Sequence, residues 1–172
     1  GEGSFVQAWD FETGKSVWSF SPGDGLTSLA FSPDGRQLAV GGATGMVALL
    51  EAETGQPVMT LPGHTYLVFD LAFSPDGSQL VTSSWDGTAK LWDLASGREL
   101  LTFPEQWSGV AFSSDGKSIF TGGLDWFVYR WDASTGQELQ KFGDGSQDVY
   151  GVAVNLDGSL LAIGQQDGAI TL

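Results

Sequence analysis

The chain has no cysteine, one histidine and only seven lysine or arginine residues among its 172. Without cysteine there is no disulfide, no thiol nucleophile and no zinc–thiolate site. A single histidine leaves a transition-metal site short of ligands, so no cofactor or metal is expected. The lack of cysteine fits a reducing compartment without requiring one, and a cytoplasmic location is the expectation. The basic residues stand one at a time, so nothing clusters to neutralise adjacent phosphates. Nucleic acid and anionic membrane surfaces are therefore not expected partners. No apolar run approaches the roughly eighteen residues of a membrane-spanning helix, and no stretch carries helical periodicity. The first residue is Gly1 rather than Met, which points to a chain processed, tagged or excised from something longer.

Acid, glycine and aromatic residues are abundant. The formal charge is −14, which serves solubility and discourages strand edges from pairing. Twenty-five Gly, seven Trp and eleven Phe suit an all-β chain with many tight turns. The turns recur at a fixed spacing. Ser32-Pro33-Asp34-Gly35, Ser74-Pro75-Asp76-Gly77, Ser113-Ser114-Asp115-Gly116 and Asn155-Leu156-Asp157-Gly158 follow one another roughly every forty residues, the mark of a repeat architecture. A second marker keeps step: Trp9-Asp10, Leu50-Glu51, Trp92-Asp93 and Trp131-Asp132, each followed by a turn glycine.

Residues 67–103 show the unit most clearly. An alternating run from Leu67 to Phe73 meets Asp76-Gly77, where glycine supplies the positive φ of a tight hairpin. Leu80 to Ser84 returns, Trp85-Asp86-Gly87 turns, Ala89 to Trp92 runs out, and Glu99 to Phe103 closes a four-stranded antiparallel meander. Such a sheet is apolar on both faces and needs neighbouring copies stacked against it.

These units resemble the repeats of WD-repeat (WD40) β-propellers. The resemblance is densest at Leu61-Pro62-Gly63-His64, at Leu71 to Gly77, at Leu80 to Gly87 and at Lys90-Leu91-Trp92-Asp93, and it runs over essentially the whole length. It implies four-stranded blades with the first strand innermost. The expected divisions are third and fourth strands of a first blade at 3–20, blades at about 25–61, 66–103 and 106–142, and the first three strands of a last blade at 148–172. It also implies a structural hydrogen-bonded tetrad, complete only in the second copy: His64, Thr82 or Ser84, Asp86 and Trp92. Asp125 and Trp131 remain in the third copy and Asp167 in the last, while Thr44 and Leu50 replace Asp and Trp in the first. The pattern places His64, Asp86 and Ser84 where the family uses them for rigidity, and no nucleophile turn presents the serine, so catalytic residues are not expected. Asp144 to Asp148 lacks the glycine and distal glutamate of a calcium loop and reads as an ordinary acidic loop.

A family of this kind binds partners on the face formed by loops entering first strands and turns between second and third strands. The positions concerned are Leu67, Phe69 and Trp85 in the second copy, Leu124 in the third, and Asp148, Tyr150 and Gln166 in the last. Trp107 and Trp126 are expected to pack between blades instead. The resemblance thus implies a non-catalytic scaffold that binds a protein or peptide on this rim. Because Gly3 to Ala8 and Asp167 to Leu172 read as the same strand, a second role is structural: further blades in cis or in trans, including a homodimer of half propellers forming an eight-bladed ring, natural or engineered.

Overall fold

The structure is a computed structural model that describes residues 4–23, 25–166, 168 and 170–171. Every regular element among them is a strand, and three sheets have four strands each: β3 (Leu26–Phe31) to β6 (Pro57–Thr60), β7 (Val68–Phe73) to β10 (Arg98–Pro104), and β11 (Gln106–Phe112) to β14 (Glu138–Phe142). Each is an antiparallel meander in chain order. They are flanked by a two-stranded sheet, β1 (Val6–Trp9) with β2 (Ser16–Phe20), and a three-stranded one, β15 (Val149–Val154), β16 (Leu161–Gln165) and β17 (Ile170–Thr171). The sheets are successive blades of an arc that does not close. β2 pairs antiparallel with β1, with Val6 opposite Phe20.

The first-to-second strand turns explain why this sequence makes hairpins. Ser74 Oγ donates to Asp76 Oδ1 (2.6 Å) and accepts from the Gln79 N–H (2.9 Å), while Asp76 also accepts from the Ser78 N–H (3.0 Å). Those contacts hold the Asp76 carboxyl at a pKa of about 2, the Ser74 hydroxyl contributing most. Gly77 follows at φ +72°, a conformation that suits a residue without Cβ. The same closure recurs at Ser32/Asp34 and Ser113/Asp115. In the last copy Asn155 Oδ1 takes the serine's place and accepts from the Leu160 N–H (2.9 Å).

Second strands β4 (Gln37–Gly42), β8 (Gln79–Ser84) and β12 (Ser118–Gly123) are buried on both faces, and their period-two alternation divides the core. Leu38 and Val40 face β1 with Val6, Ala48 and Leu50, whereas Ala39 joins Val68, Leu71, Leu80 and Trp92 between the next pair of blades. Val81, Phe103, Val110, Ile119 and Trp131 fill the following junction, and Phe120, Val128, Val149 and Ile163 the last.

Innermost strands are also tied to one another by polar or close backbone contacts, differently at each junction. Thr27 Oγ1 donates to the Val68 carbonyl (2.6 Å). Asp70 Oδ2 accepts from the Val110 N–H and Oδ1 from the Leu71 N–H, each at 2.9 Å. Burial raises the Asp70 pKa despite those two bonds. At the third junction the backbone itself approaches: a Cβ on Gly109 would lie 2.7 Å from the Val152 nitrogen.

Candidate functional site

The loop 61–67 and the turn 85–87 meet at one end of the second complete blade, β7–β10, held by a buried relay. His64 Nδ1 lies 2.8 Å from Asp86 Oδ2, His64 Nε2 lies 2.8 Å from Thr82 Oγ1, and Trp92 Nε1 donates to that same hydroxyl at 2.9 Å. One set of protons satisfies all three contacts: the indole N–H donates to Thr82, the Thr82 hydroxyl to Nε2, and Nδ1–H to the carboxylate. Imidazole is then neutral. Burial depresses the His64 pKa, outweighing the hydrogen bond and charge of Asp86 that raise it. Asp86 is pushed up by burial but held below its ordinary value by the Thr88 hydroxyl, His64 and the Thr65 N–H together. Its other oxygen accepts from the Thr88 N–H, so one carboxylate pins both loop and turn.

Of the two hydroxyls the sequence offers, Thr82 is the one on the histidine. Ser84 lies one pleat nearer the loops, where it donates to the Tyr66 carbonyl (2.9 Å) and accepts from the Asp86 N–H (3.0 Å). No imidazole reaches Ser84, and the Thr82 hydroxyl is wholly buried, so this constellation presents no nucleophile to solvent.

The third blade has a relay that sequence reading missed. Trp131 Nε1 donates to Thr121 Oγ1, and Thr121 donates to Gln106 Oε1, both at 2.7 Å. Gln106 thus occupies the histidine's role. The signal was available in Phe103-Pro104-Glu105-Gln106, which matches the order of Leu61-Pro62-Gly63-His64. Three residues fewer separate it from the next strand's Val110 than separate His64 from Leu71, and that offset disguises the match. Asp125, without a histidine, accepts instead from Lys141 Nζ and from the Tyr129 hydroxyl, each at 2.7 Å. Asp167 lies outside the described residues.

Above the relay the aromatic residues gather. Phe69 stacks on Trp85 with ring centroids 6.4 Å apart, Trp107 stands edge-on to both at 5.8 and 6.1 Å, and Tyr150 closes the group 6.4 Å from Phe69 and 6.3 Å from Trp107. Tyr66 extends it, its ring centroid 6.4 Å from that of Trp85. Three consecutive blades contribute, and Tyr66, Trp85 and Tyr150 remain 55%, 48% and 41% exposed. Trp107 packs between blades, as expected, against Phe69 and Trp85 of one and Tyr150 of the next, but does so at the rim. The short entry into β11 puts Gln106 in the sheet opposite Gly123 and sends the next residue to the rim. Trp126, expected between blades, is instead 44% exposed, in the β12–β13 turn at φ +70°.

The remaining rim positions frame this cluster without ring contacts to it. Leu67 accepts the Trp85 N–H through its carbonyl (2.9 Å). Leu124 is exposed, its N–H on the Glu105 carbonyl, and the Gln166 N–H donates to the Asp148 carbonyl (3.0 Å).

Repeated meanders of this order, stapled by an indole–hydroxyl–imidazole–carboxylate relay, define a propeller-type repeat module. Comparison with known proteins agrees: residues 55–93 and 97–132 match the family model for the WD domain, G-beta repeat, and residues 11–69 match that for the anaphase-promoting complex subunit 4 WD40 domain. The chain belongs to the WD-repeat family. Over 54 residues it is 44% identical to echinoderm microtubule-associated protein-like 2 of Mus musculus, a match covering 31% of this chain and 8% of that protein. WD-repeat domains are in general non-catalytic modules of protein–protein interaction.

Proposed function

We propose that this chain is a non-catalytic interaction module that takes a protein or peptide partner on the rim formed by Leu67, Phe69, Trp85, Trp107 and Tyr150. The observation that carries this reading is the contiguous aromatic cluster drawn from three blades, with Tyr66, Trp85 and Tyr150 about half exposed. Large rings at the centre of a patch are what a desolvated binding hot spot uses. The relay beneath serves the same end, because Asp86 fixes the turn that carries Trp85 and the loop that carries Tyr66 and Leu67.

The test is selection of random phage-displayed peptides on the immobilised chain. Selected peptides are expected to lose binding at least about tenfold on the Trp85→Ser/Leu67→Ser variant. They should keep it on Trp9→Ser, whose indole is exposed on β1. Retention on the first variant, or equal loss on both, overturns the assignment.

A second reading rests on a different observation. Leu29 and Phe31 are 55% and 62% exposed beside the edge of β1 that pairs with no strand among the described residues, and Phe120, Phe142 and Ile163 line a cleft of about 530 Å³ at the other end of the arc. Apolar faces of this kind are what a second copy would cover. Light scattering across a concentration series is expected to give a dimer mass that Phe31→Asp reduces to the monomer; a monomer throughout refutes this reading.

A further inference from the structure

The rim is aromatic, and it is also of one charge. Among the described residues its loops and turns carry Asp86, Glu105, Asp125, Asp144 and Asp148 and no lysine or arginine. Basic residues lie elsewhere: Lys15, Arg36, Arg98 and Lys117 stand at the turns of the opposite face, and Arg130 is within β13 (Val128–Asp132), bonded to Ser118. Lys90 and Lys141 are each ion-paired, with Glu99 (2.9 Å) and Asp125 (2.7 Å). Asp86 is committed to the relay and Asp125 to Lys141. Glu105 and Asp148 are ion-paired with no described residue, and they directly precede the strands that present Trp107 and Tyr150. Trp107 and Tyr150 therefore each have a carboxylate placed two residues upstream, on the segment that enters the strand.

From this juxtaposition we infer that the rim recognises a cationic peptide segment, with a Lys or Arg side chain over the Trp85, Trp107, Phe69 and Tyr150 rings and Glu105 and Asp148 drawing it in. The inference rests on the interaction reading above and names its partner's chemistry. A ring face attracts a cation through its quadrupole, most strongly for tryptophan. A single-sign field around an apolar patch steers the oppositely charged partner and rejects like charge. The protein's own chain offers the precedent in miniature, since Lys141 Nζ sits 3.8 Å above the Phe127 ring while paired with Asp125.

The probe is a fluorescein-labelled peptide of about twelve residues in which arginine alternates with glycine and serine, compared with the same peptide carrying citrulline or glutamate. Anisotropy titrations of the 172-residue chain are run at about 50 and 150 mM salt. The arginine peptide is expected to bind, at least about tenfold more tightly than the citrulline peptide, and to weaken at the higher salt. Trp85→Ala should weaken it about tenfold. Glu105→Gln/Asp148→Asn should weaken it about threefold to tenfold, while Glu12→Gln/Glu53→Gln, which removes the same charge from the opposite face, leaves it unchanged. Circular dichroism verifies that each variant is folded. Absence of arginine-peptide binding overturns the inference, as does equal weakening by the two charge variants. Equal, Trp85-dependent binding of the citrulline peptide sinks cation recognition but leaves the interaction rim standing. Peptide binding that ignores Trp85→Ala removes both.

Discussion

Replacing Thr82 by valine keeps the shape of a fully buried side chain and deletes the one atom shared by two hydrogen bonds. The Trp92 indole N–H loses its acceptor and His64 Nε2 loses its donor, and both groups lie where water does not reach. Leaving a buried polar group unpaired costs about 1–3 kcal/mol, so two such groups give about 2–6 kcal/mol. A methyl in place of the hydroxyl returns about 0.8 kcal/mol of burial. The expected loss is therefore about 3 kcal/mol, a large part of the roughly 5–15 kcal/mol of a typical domain. The same substitution at Thr121 strands the Trp131 N–H and the Gln106 amide oxygen, but Trp131 is 9% exposed against 1% for Trp92, so the loss there should be smaller. Urea unfolding followed by circular dichroism at pH 7 measures both, with an unchanged denaturant slope as the condition for comparison. A Thr82→Val variant within about 0.5 kcal/mol of the parent would falsify the claim that this hydroxyl is the hub of the relay.

Three further outcomes follow from contacts already described. His64 is held neutral in the folded chain with its pKa below 6.5, so the unfolded chain binds the proton first as pH falls. Stability should drop from about pH 6.5 downward at up to about 1.4 kcal/mol per pH unit. The His64→Gln variant, which copies Gln106, should lose that slope between pH 7 and 5; an unchanged slope in urea unfolding contradicts the neutral assignment. Asp70→Asn offers one oxygen to two backbone N–H groups, those of Leu71 and Val110, and is expected to cost about 1–3 kcal/mol even though it removes a buried charge; a stabilised variant in thermal unfolding would show that desolvation outweighs the staple. Gly41→Ala places a Cβ 2.5 Å from Ser28 Oγ and 2.7 Å from Val68 Cγ1, between packed strands, and should destabilise by about 1–3 kcal/mol in the same assay, with a neutral result showing that β7 can shift away.

The meanders were legible in the sequence because their determinants are local. An Asp-Gly turn and a period-two run act within a few residues, so β7 to β9 (Thr88–Asp93) could be read without knowing what covers them. His64 and Trp92 were legible because both residue types are distinctive. Gln106 was not, since its amide oxygen does the work of an imidazole nitrogen under another residue name and in a shorter loop. The choice between Thr82 and Ser84 was open for a related reason: alternation puts both on the same face, and only the position of the Tyr66 carbonyl separates them. That Trp107 joins the rim cluster was not legible, because its position depends on where the backbone of β11 begins to pair. The Asp70–Val110 staple joins residues forty apart and leaves no periodic trace.

Each four-stranded sheet is a meander whose strands pair only with their neighbours in the chain. During synthesis, then, a blade can complete its ladder as soon as its own fourth strand has left the ribosome, with no wait for a distant segment and little loop-closure entropy to overcome. The innermost staples come later, because the Asp70 carboxylate receives the Val110 N–H only when β11 arrives. The order of translation is thus also the order of assembly, and a pause in translation with β10 just clear of the ribosome and β11 still inside it would hold the β7–β10 blade ladder-complete yet still unlocked at its inner edge.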